Sequence, residues 1–156
     1  MQLPSSDRLA HHEAGHALVQ HWVAKGRFRV TRVSLESDGG QVAGYSLIEP
    51  EVTLGLYEFG LVVLAGIAAE NRYFSEVSPP EGEQCGATGD IDDWLAEART
   101  ALGSNARVGI VTNNVMRRLK DFFDDQVNWN MVTELAEQLQ KEGTVEGEQL
   151  QMLLDR

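Results

Sequence analysis

Ser6-Asp7-Arg8-Leu9-Ala10-His11-His12-Glu13-Ala14-Gly15-His16-Ala17-Leu18-Val19-Gln20-His21-Trp22-Val23 is the stretch on which the reading of this 156-residue chain turns. From Ser6 to Lys25 the pattern is helical, and Leu9, Ala10, Ala14, Ala17, Leu18, Val19, Trp22 and Val23 face almost every direction around the axis. A helix apolar on nearly all sides is expected to be buried. His12 and His16 are four residues apart, a turn of about 40 degrees, so both imidazoles project from one face and can grip one metal ion. Glu13 is displaced by about 60 degrees from His16, beside such an ion without having to ligate it, where a carboxylate can take a proton from a water. Shuffling a chain of this composition produces the five-residue pattern about 1 time in 100, so the motif is strong before any context is added. Leu9, Val19 and Val23 share the face of His12, Glu13 and His16. Burying three polar groups in that stripe without partners would cost on the order of several kcal/mol, a cost that a shared metal ion removes.

Outward from this helix, Arg27 to Leu35 alternates through Phe28, Val30 and Val33, Glu36 to Gly40 reads as a turn, and Gln41 to Ile48 reads as a second strand. That predicts a hairpin. After Pro50, Leu54 to Phe74 is a second apolar helix. Ser75 to Gly89, with Pro79, Pro80, Gly82, Gly86 and Gly89, reads as a long loop, and loops of that length are usually functional or mobile. Asp90 to Leu102 is helical with Gly103 as its C-terminal stop. Asn105 to Phe123 and Trp129 to Lys141 are amphipathic helices, Gly143 ends the second, and Val145 to Leu154 is a short last helix carrying Leu150, Leu153 and Leu154 on one side. With no repeat, low-complexity tract or interdomain linker, residues 1–156 are expected to form a single domain of mainly α (α+β) class with a small β-hairpin as edge.

Apolar residues make up 42% and charged residues 24%, enough for a real core. Thirteen Lys and Arg against 24 Asp and Glu leave a net charge of −11, which disfavours nucleic-acid binding through clustered cations. The longest apolar run, Phe59 to Ala69, falls well short of the roughly 20 residues needed to span a bilayer. Met1 to Arg8 lacks a basic region followed by an apolar stretch, so no secretory signal is visible and a cytoplasmic location is expected. The lone Cys85 cannot form an internal disulfide, in keeping with a reducing compartment.

A catalytic zinc usually takes three protein ligands and leaves one position open. Composition leaves the third ligand open among His11, His21, Cys85, Glu70 and nine aspartates. His11 points about 100 degrees away from His12 and His21 about 180, so both read as structural or surface residues. Cys85 reads as a lone thiol. Asp90 by itself is best explained as a helix N-cap, with Asp92 and Asp93 continuing an acidic first turn.

His12-Glu13-Ala14-Gly15-His16-Ala17-Leu18 resembles the active-site helix of the peptidase domain of the FtsH family, the ATP-dependent zinc metalloproteases. Val42-Ala43-Gly44-Tyr45-Ser46 resembles the family's edge-strand segment. Gly66-Ile67-Ala68-Ala69-Glu70, followed by Tyr73-Phe74-Ser75-Glu76-Val77, is similar to its Gly-x-Ala-Ala-Glu helix. Gly86-Ala87-Thr88-Gly89-Asp90-Ile91 resembles its Gly-Ala-x-x-Asp-Leu motif, and Glu134-Leu135-Ala136 through Glu148 its closing helices. The resemblance implies a zincin-type helical peptidase domain holding Zn2+ through His12, His16 and Asp90, with Glu13 as general base. It implies that Glu70 orients a ligand imidazole, a role to be weighed against that of an ordinary helix-terminal glutamate beside solvent. Asp90 can both ligate and cap.

The activity so implied is metalloendopeptidase hydrolysis of unfolded chains or peptides, with substrate extended along Val42, Ala43, Gly44 and Tyr45 and added to the sheet edge. Main-chain reading of that kind implies broad sequence selectivity. The family's peptidase domains form six-fold rings, which implies a homo-oligomer. Two features depart from the family pattern. There is no phosphate-binding Gly-Lys-Ser/Thr loop, and Pro79 to Gln84 is inserted before the Gly-Ala-x-x-Asp segment, leaving Cys85 where the family often has Thr. Three readings follow: a stand-alone zinc peptidase, a peptidase fed by an ATPase on a separate chain, and a non-catalytic metal-stabilised binding module. The presence of Glu13 favours the first two.

Overall fold

Small residues let the first helix sink into the middle of the protein. The computed structural model describes residues 6–24, 27–35, 41–46, 55–77 and 88–155. Helix α1 (Ser6–Val23) has Ala10, Ala14, Ala17 and Val19 fully buried and is covered by helices α2 (Leu56–Glu76) and α5 (Gln126–Glu142) and by strand β1 (Phe28–Ser34). Gly15 faces α2 so closely that a β-carbon there would fall 2.5 Å from the Ala69 Cβ. Interaxial distance is set by the side chains at the crossing, and here both sides contribute almost none. The burial expected from the all-round apolar pattern is what the structure has.

Strand β1 pairs antiparallel with β2 (Gln41–Ser46), the predicted hairpin. The register shifts between Val30 and Arg32. In an unbroken strand residues 30 and 33 would face opposite sides; the bulge turns both inward, and both are fully buried. On its other edge β1 pairs with β3 (Thr144–Glu146), giving sheet order β2-β1-β3. This corrects the expectation that Val145 opens the last helix. Gly143, at φ 76°, turns the chain out of α5, and its carbonyl accepts from Leu35 N–H at 2.7 Å. Val145 then lies opposite Val33 in the core, and helix α6 (Gly147–Leu154) follows.

Three further boundaries move. Helix α2 runs on to Glu76, held there by an Arg72–Glu76 ion pair of 2.6 Å and by Ser75 Oγ donating to the Arg72 carbonyl at 2.6 Å. Helix α5 starts three residues ahead of Trp129 because the Asp125 carboxylate accepts from Val127 and Asn128 N–H. Helix α3 (Thr88–Leu102) begins two residues before Asp90, and Gly103, at φ 66°, ends it. Thus Ser75, Glu76, Thr88 and Gly89, expected in a loop, are helical. The Pro79 to Gln84 insertion, Cys85, the Glu36 to Gly40 turn, Ile48 and Leu54 lie outside the described residues.

Helix α4 (Asn105–Asp124) opens on a Ser104 cap and packs against α2. Trp94, 1% exposed, pins α3 in place: its Nε1 donates to Thr112 Oγ1 on α4 at 2.8 Å, and its ring lies over Gly60 of α2. Buried apolar side chains from all six helices, β1 and β3 form one contiguous cluster. The architecture is mainly α with a small antiparallel sheet. No described helix is long and apolar enough to cross a membrane.

Candidate metal centre

The site forms where α2 crosses beneath α1, and it begins at a glycine. Gly66 of α2 sits against both histidines of the motif: a β-carbon there would lie 2.6 Å from His16 Nε2 and closer still to His12 Cε1 and Nε2. With no side chain at 66, both rings come up against the α2 backbone, their planes 74° apart. Their other nitrogens are fixed from behind. His16 Nδ1 is 2.8 Å from the Val62 carbonyl, and His12 Nδ1 is 3.1 Å from Glu70 Oε2. A carbonyl or carboxylate oxygen can only accept, so Nδ1 carries a proton in both rings, and in a neutral ring Nε2 presents its lone pair.

The two Nε2 atoms are 3.1 Å apart, and Asp90 Oδ2 lies 3.2 Å from each. Asp90 is brought there by its helix. It occupies the third position of α3, one turn before the anchored Trp94, so the two side chains leave the same face. It is therefore not the N-cap that local reading favours; its carboxylate reaches across to the imidazoles instead. Three acceptor atoms thus converge with no hydrogen among them unless a ring gains a proton. Burial disfavours a charged His12, but hydrogen bonds to Asp90 and Glu70 and the nearby carboxylates outweigh it and raise the imidazole to about 9. Burial also acts to raise Asp90, yet hydrogen bonds from His12 and His16 hold it well below the usual carboxylate range.

The same group can hold a metal ion. With Zn–N and Zn–O bonds of about 2.0–2.2 Å, neighbouring ligand atoms on a tetrahedral zinc lie about 3.3 Å apart, close to the separations found here. Two neutral imidazoles and one carboxylate are also a donor set that zinc favours.

Glu13 Oε1 lies 3.9 Å from His12 Nε2, and the residue is 5% exposed. Burial pushes its carboxyl above the ordinary glutamate value, against the pull of His16 and His12. The histidines, Glu13 and Asp90 line a cleft of about 370 Å³ whose other walls include Gln20, Gln41, Val42 and Val62. Of the four residues expected to bind substrate, Val42 thus faces the cleft. Ala43, Gly44 and Tyr45 continue the same strand, whose outer edge has no partner strand among the described residues. A larger cavity of about 530 Å³ lies between α2 and α4, lined by Ala68, Arg72, Met116 and Lys120, and has no convergent donor set among the described residues.

The remaining candidates are elsewhere. His11 stacks on Tyr73 at 4.3 Å, with its Nδ1 donating to the Asp7 carbonyl, and burial lowers its pKa. His21 pairs with Asp155 at 3.6 Å. Glu70 is not a terminal residue beside solvent: α2 continues to Glu76, and Glu70 is fully buried. Its second oxygen accepts from Arg8 Nη1 at 2.5 Å. Arg8 and the Val62 carbonyl escaped the sequence reading. The available signal for Arg8 was its place one helical turn before His12, on the same face.

No family model matches the chain. It is similar to the ATP-dependent zinc metalloprotease FtsH 2 of Sphaerobacter thermophilus, 29% identical over 113 residues. That match covers 67% of this chain and 16% of the length of the relative.

Proposed function

We propose that this chain is a zinc metallopeptidase that hydrolyses peptide bonds in unfolded or short peptide substrates. One observation carries the reading: His12 Nε2, His16 Nε2 and Asp90 Oδ2 converge as three atoms able to ligate one metal ion beside a buried carboxylate, Glu13, in an open cleft. The distant similarity to a zinc metalloprotease supports it. His12, His16 and Asp90 hold the ion. When bound, the ion supplies Lewis acidity that lowers the pKa of a water in its open position to about 7 and polarises a peptide carbonyl.

Glu13 is the general base. Its carboxylate takes a proton from the attacking water as the new C–O bond forms, then delivers it to the amide nitrogen as the C–N bond breaks. Burial serves the first half, because a carboxyl raised above the ordinary glutamate value has a more basic carboxylate with which to take the proton. Glu70 and the Val62 carbonyl keep the rings in the Nδ1–H tautomer. Residues 42–45 of β2 offer backbone groups to an extended substrate strand, so selection among side chains is broad. The whole of residues 1–156 acts as one peptidase domain. Similarity to an ATP-dependent relative supports a second reading, in which an unfoldase on another chain delivers folded substrates. Cleavage of a folded reporter only when ATPase and ATP are added would select it.

Metal analysis tests the ligand set. The parent should carry one zinc per chain and cut a quenched peptide, with a chelator abolishing the activity. Asp90→Ala should lose affinity by on the order of 100-fold or more, since one of three ligands is gone. Unchanged stoichiometry and affinity in that variant would remove Asp90 from the site.

Uptake should also depend on pH. A ligand imidazole must be neutral, whereas His12 in the metal-free protein stays protonated up to about pH 9. Zinc affinity, measured by chelator competition, should therefore rise about tenfold per pH unit from about 7 to 8.5 and level off above 9. A flat profile would contradict proton displacement from His12.

A further inference from the structure

Behind His12, on the side away from the cleft, lies an ion pair that the reaction as described leaves unused. Arg8 and Glu70 are 62 residues apart in sequence, their side chains are 3% and 1% exposed, and they meet at 2.5 Å. Arg8 precedes His12 by one turn of α1, so both side chains reach the same carboxylate on α2: Oε1 takes Arg8 Nη1 and Oε2 takes His12 Nδ1. A guanidinium on one oxygen fixes the plane of the carboxyl group, and therefore where the other oxygen points. Charge supports the same arrangement. Glu13, Glu70 and Asp90 bring three negative charges into a largely buried group; a divalent cation balances two, and Arg8 supplies the third.

We propose that Arg8 is a positioning residue of the metal centre. It clamps Glu70 so that Oε2 stays aimed at His12 Nδ1–H, which holds the His12 Nε2 lone pair on the point shared with His16 and Asp90. The inference rests on the metal-binding reading above. An arginine at this position is more than a packing element, because its influence reaches the ion through two hydrogen bonds in series.

A double-mutant cycle on the full chain, with zinc or cobalt(II) added against a chromogenic chelator, tests the inference. Arg8→Met should weaken metal affinity by about 10- to 100-fold, the range for partners that orient ligating histidines, and should alter the visible absorption of the cobalt form. Arg27→Met, which breaks the half-exposed Arg27–Glu58 pair, should leave affinity within about two-fold of the parent. On a Glu70→Gln background, removing Arg8 should change affinity by less than about two-fold, because the clamp no longer has its target. If Arg8→Met alone does not fold, Arg8→Lys carries the test: it keeps a cation against Glu70 but not the planar guanidinium fork, and should still weaken metal affinity several-fold, whereas parental affinity in that variant would overturn the inference. The inference is overturned if Arg8→Met binds metal as the parent does, or if it costs the same factor on both backgrounds. A parent that takes up no zinc would overturn the metal reading itself, a separate and recognisable result.

Discussion

Zinc-loaded Glu13→Gln protein should retain one metal ion per chain and hydrolyse peptides about 10²- to 10⁴-fold more slowly than the parent, the usual worth of a positioned acid–base group. Glutamine matches glutamate in shape and can still hydrogen-bond, but it cannot accept a proton from water or return one to an amine. Metal should be kept because Glu13 lies outside the converging triad, its Oε1 3.9 Å from His12 Nε2. Misfolding is excluded by a second measurement whose sign is fixed by the titration of Glu13. Burial raises the folded pKa of this carboxyl above its unfolded value, so the group favours the folded state only at low pH and opposes it once pH rises past the folded pKa. At pH 7 the metal-free variant should therefore melt at or above the parent temperature while its zinc form is inactive. A variant that cuts peptides at the parental rate would eliminate Glu13 as the base. One that melts well below the parent would leave the activity loss to misfolding.

How far the sequence could be read depended on how local each signal was. Two histidines and a glutamate within five residues state their own geometry once the segment is helical, and the all-round apolar pattern made that helix secure. Asp90 stands 74 residues from His16. No periodicity connects them, and the local rules for aspartate near a helix start point to a cap. Resemblance to a known family, rather than composition, singled it out. Glu70 looked terminal because the apolar run stops there, whereas the helix carries on for six residues through charged side chains held by an Arg72–Glu76 pair. β3 was missed because three residues are too few to show alternation, and its strand character depends on Val145 meeting Val33 across the sheet. The inward pair Val30 and Val33 was legible as apolar but not as a bulge, which only the register of β2 reveals. Arg8 is the extreme case: an arginine near a helix start reads as surface, and only the fold supplies the buried carboxylate that brings it inside.

Gly66→Ala is expected to abolish stoichiometric zinc binding at micromolar protein while leaving a folded chain. On helix propensity alone the change should stabilise α2 by about 1 kcal/mol. Space decides otherwise. The new β-carbon would stand 2.6 Å from His16 Nε2 and closer still to the His12 ring, so both ligand nitrogens must move. Neither can simply slide aside, because the opposite ring atoms are held by the Val62 carbonyl and by Glu70. Overpacking typically costs about 1–3 kcal/mol, roughly offsetting the propensity gain, so the metal-free protein should melt close to the parent. The bound state has no such compensation. Three ligands share a binding free energy on the order of 10–16 kcal/mol, and displacing two of them removes most of it. Gly15→Ala separates this effect from crowding between helices in general, because its β-carbon would meet Ala69 Cβ rather than the imidazoles. That variant should lose stability through α1–α2 overpacking while its folded fraction still takes up zinc. Should Gly66→Ala bind zinc as the parent does, the rings cannot lie on the α2 backbone when the ion is held, and the site would have to be rebuilt around a different placement of His12 and His16.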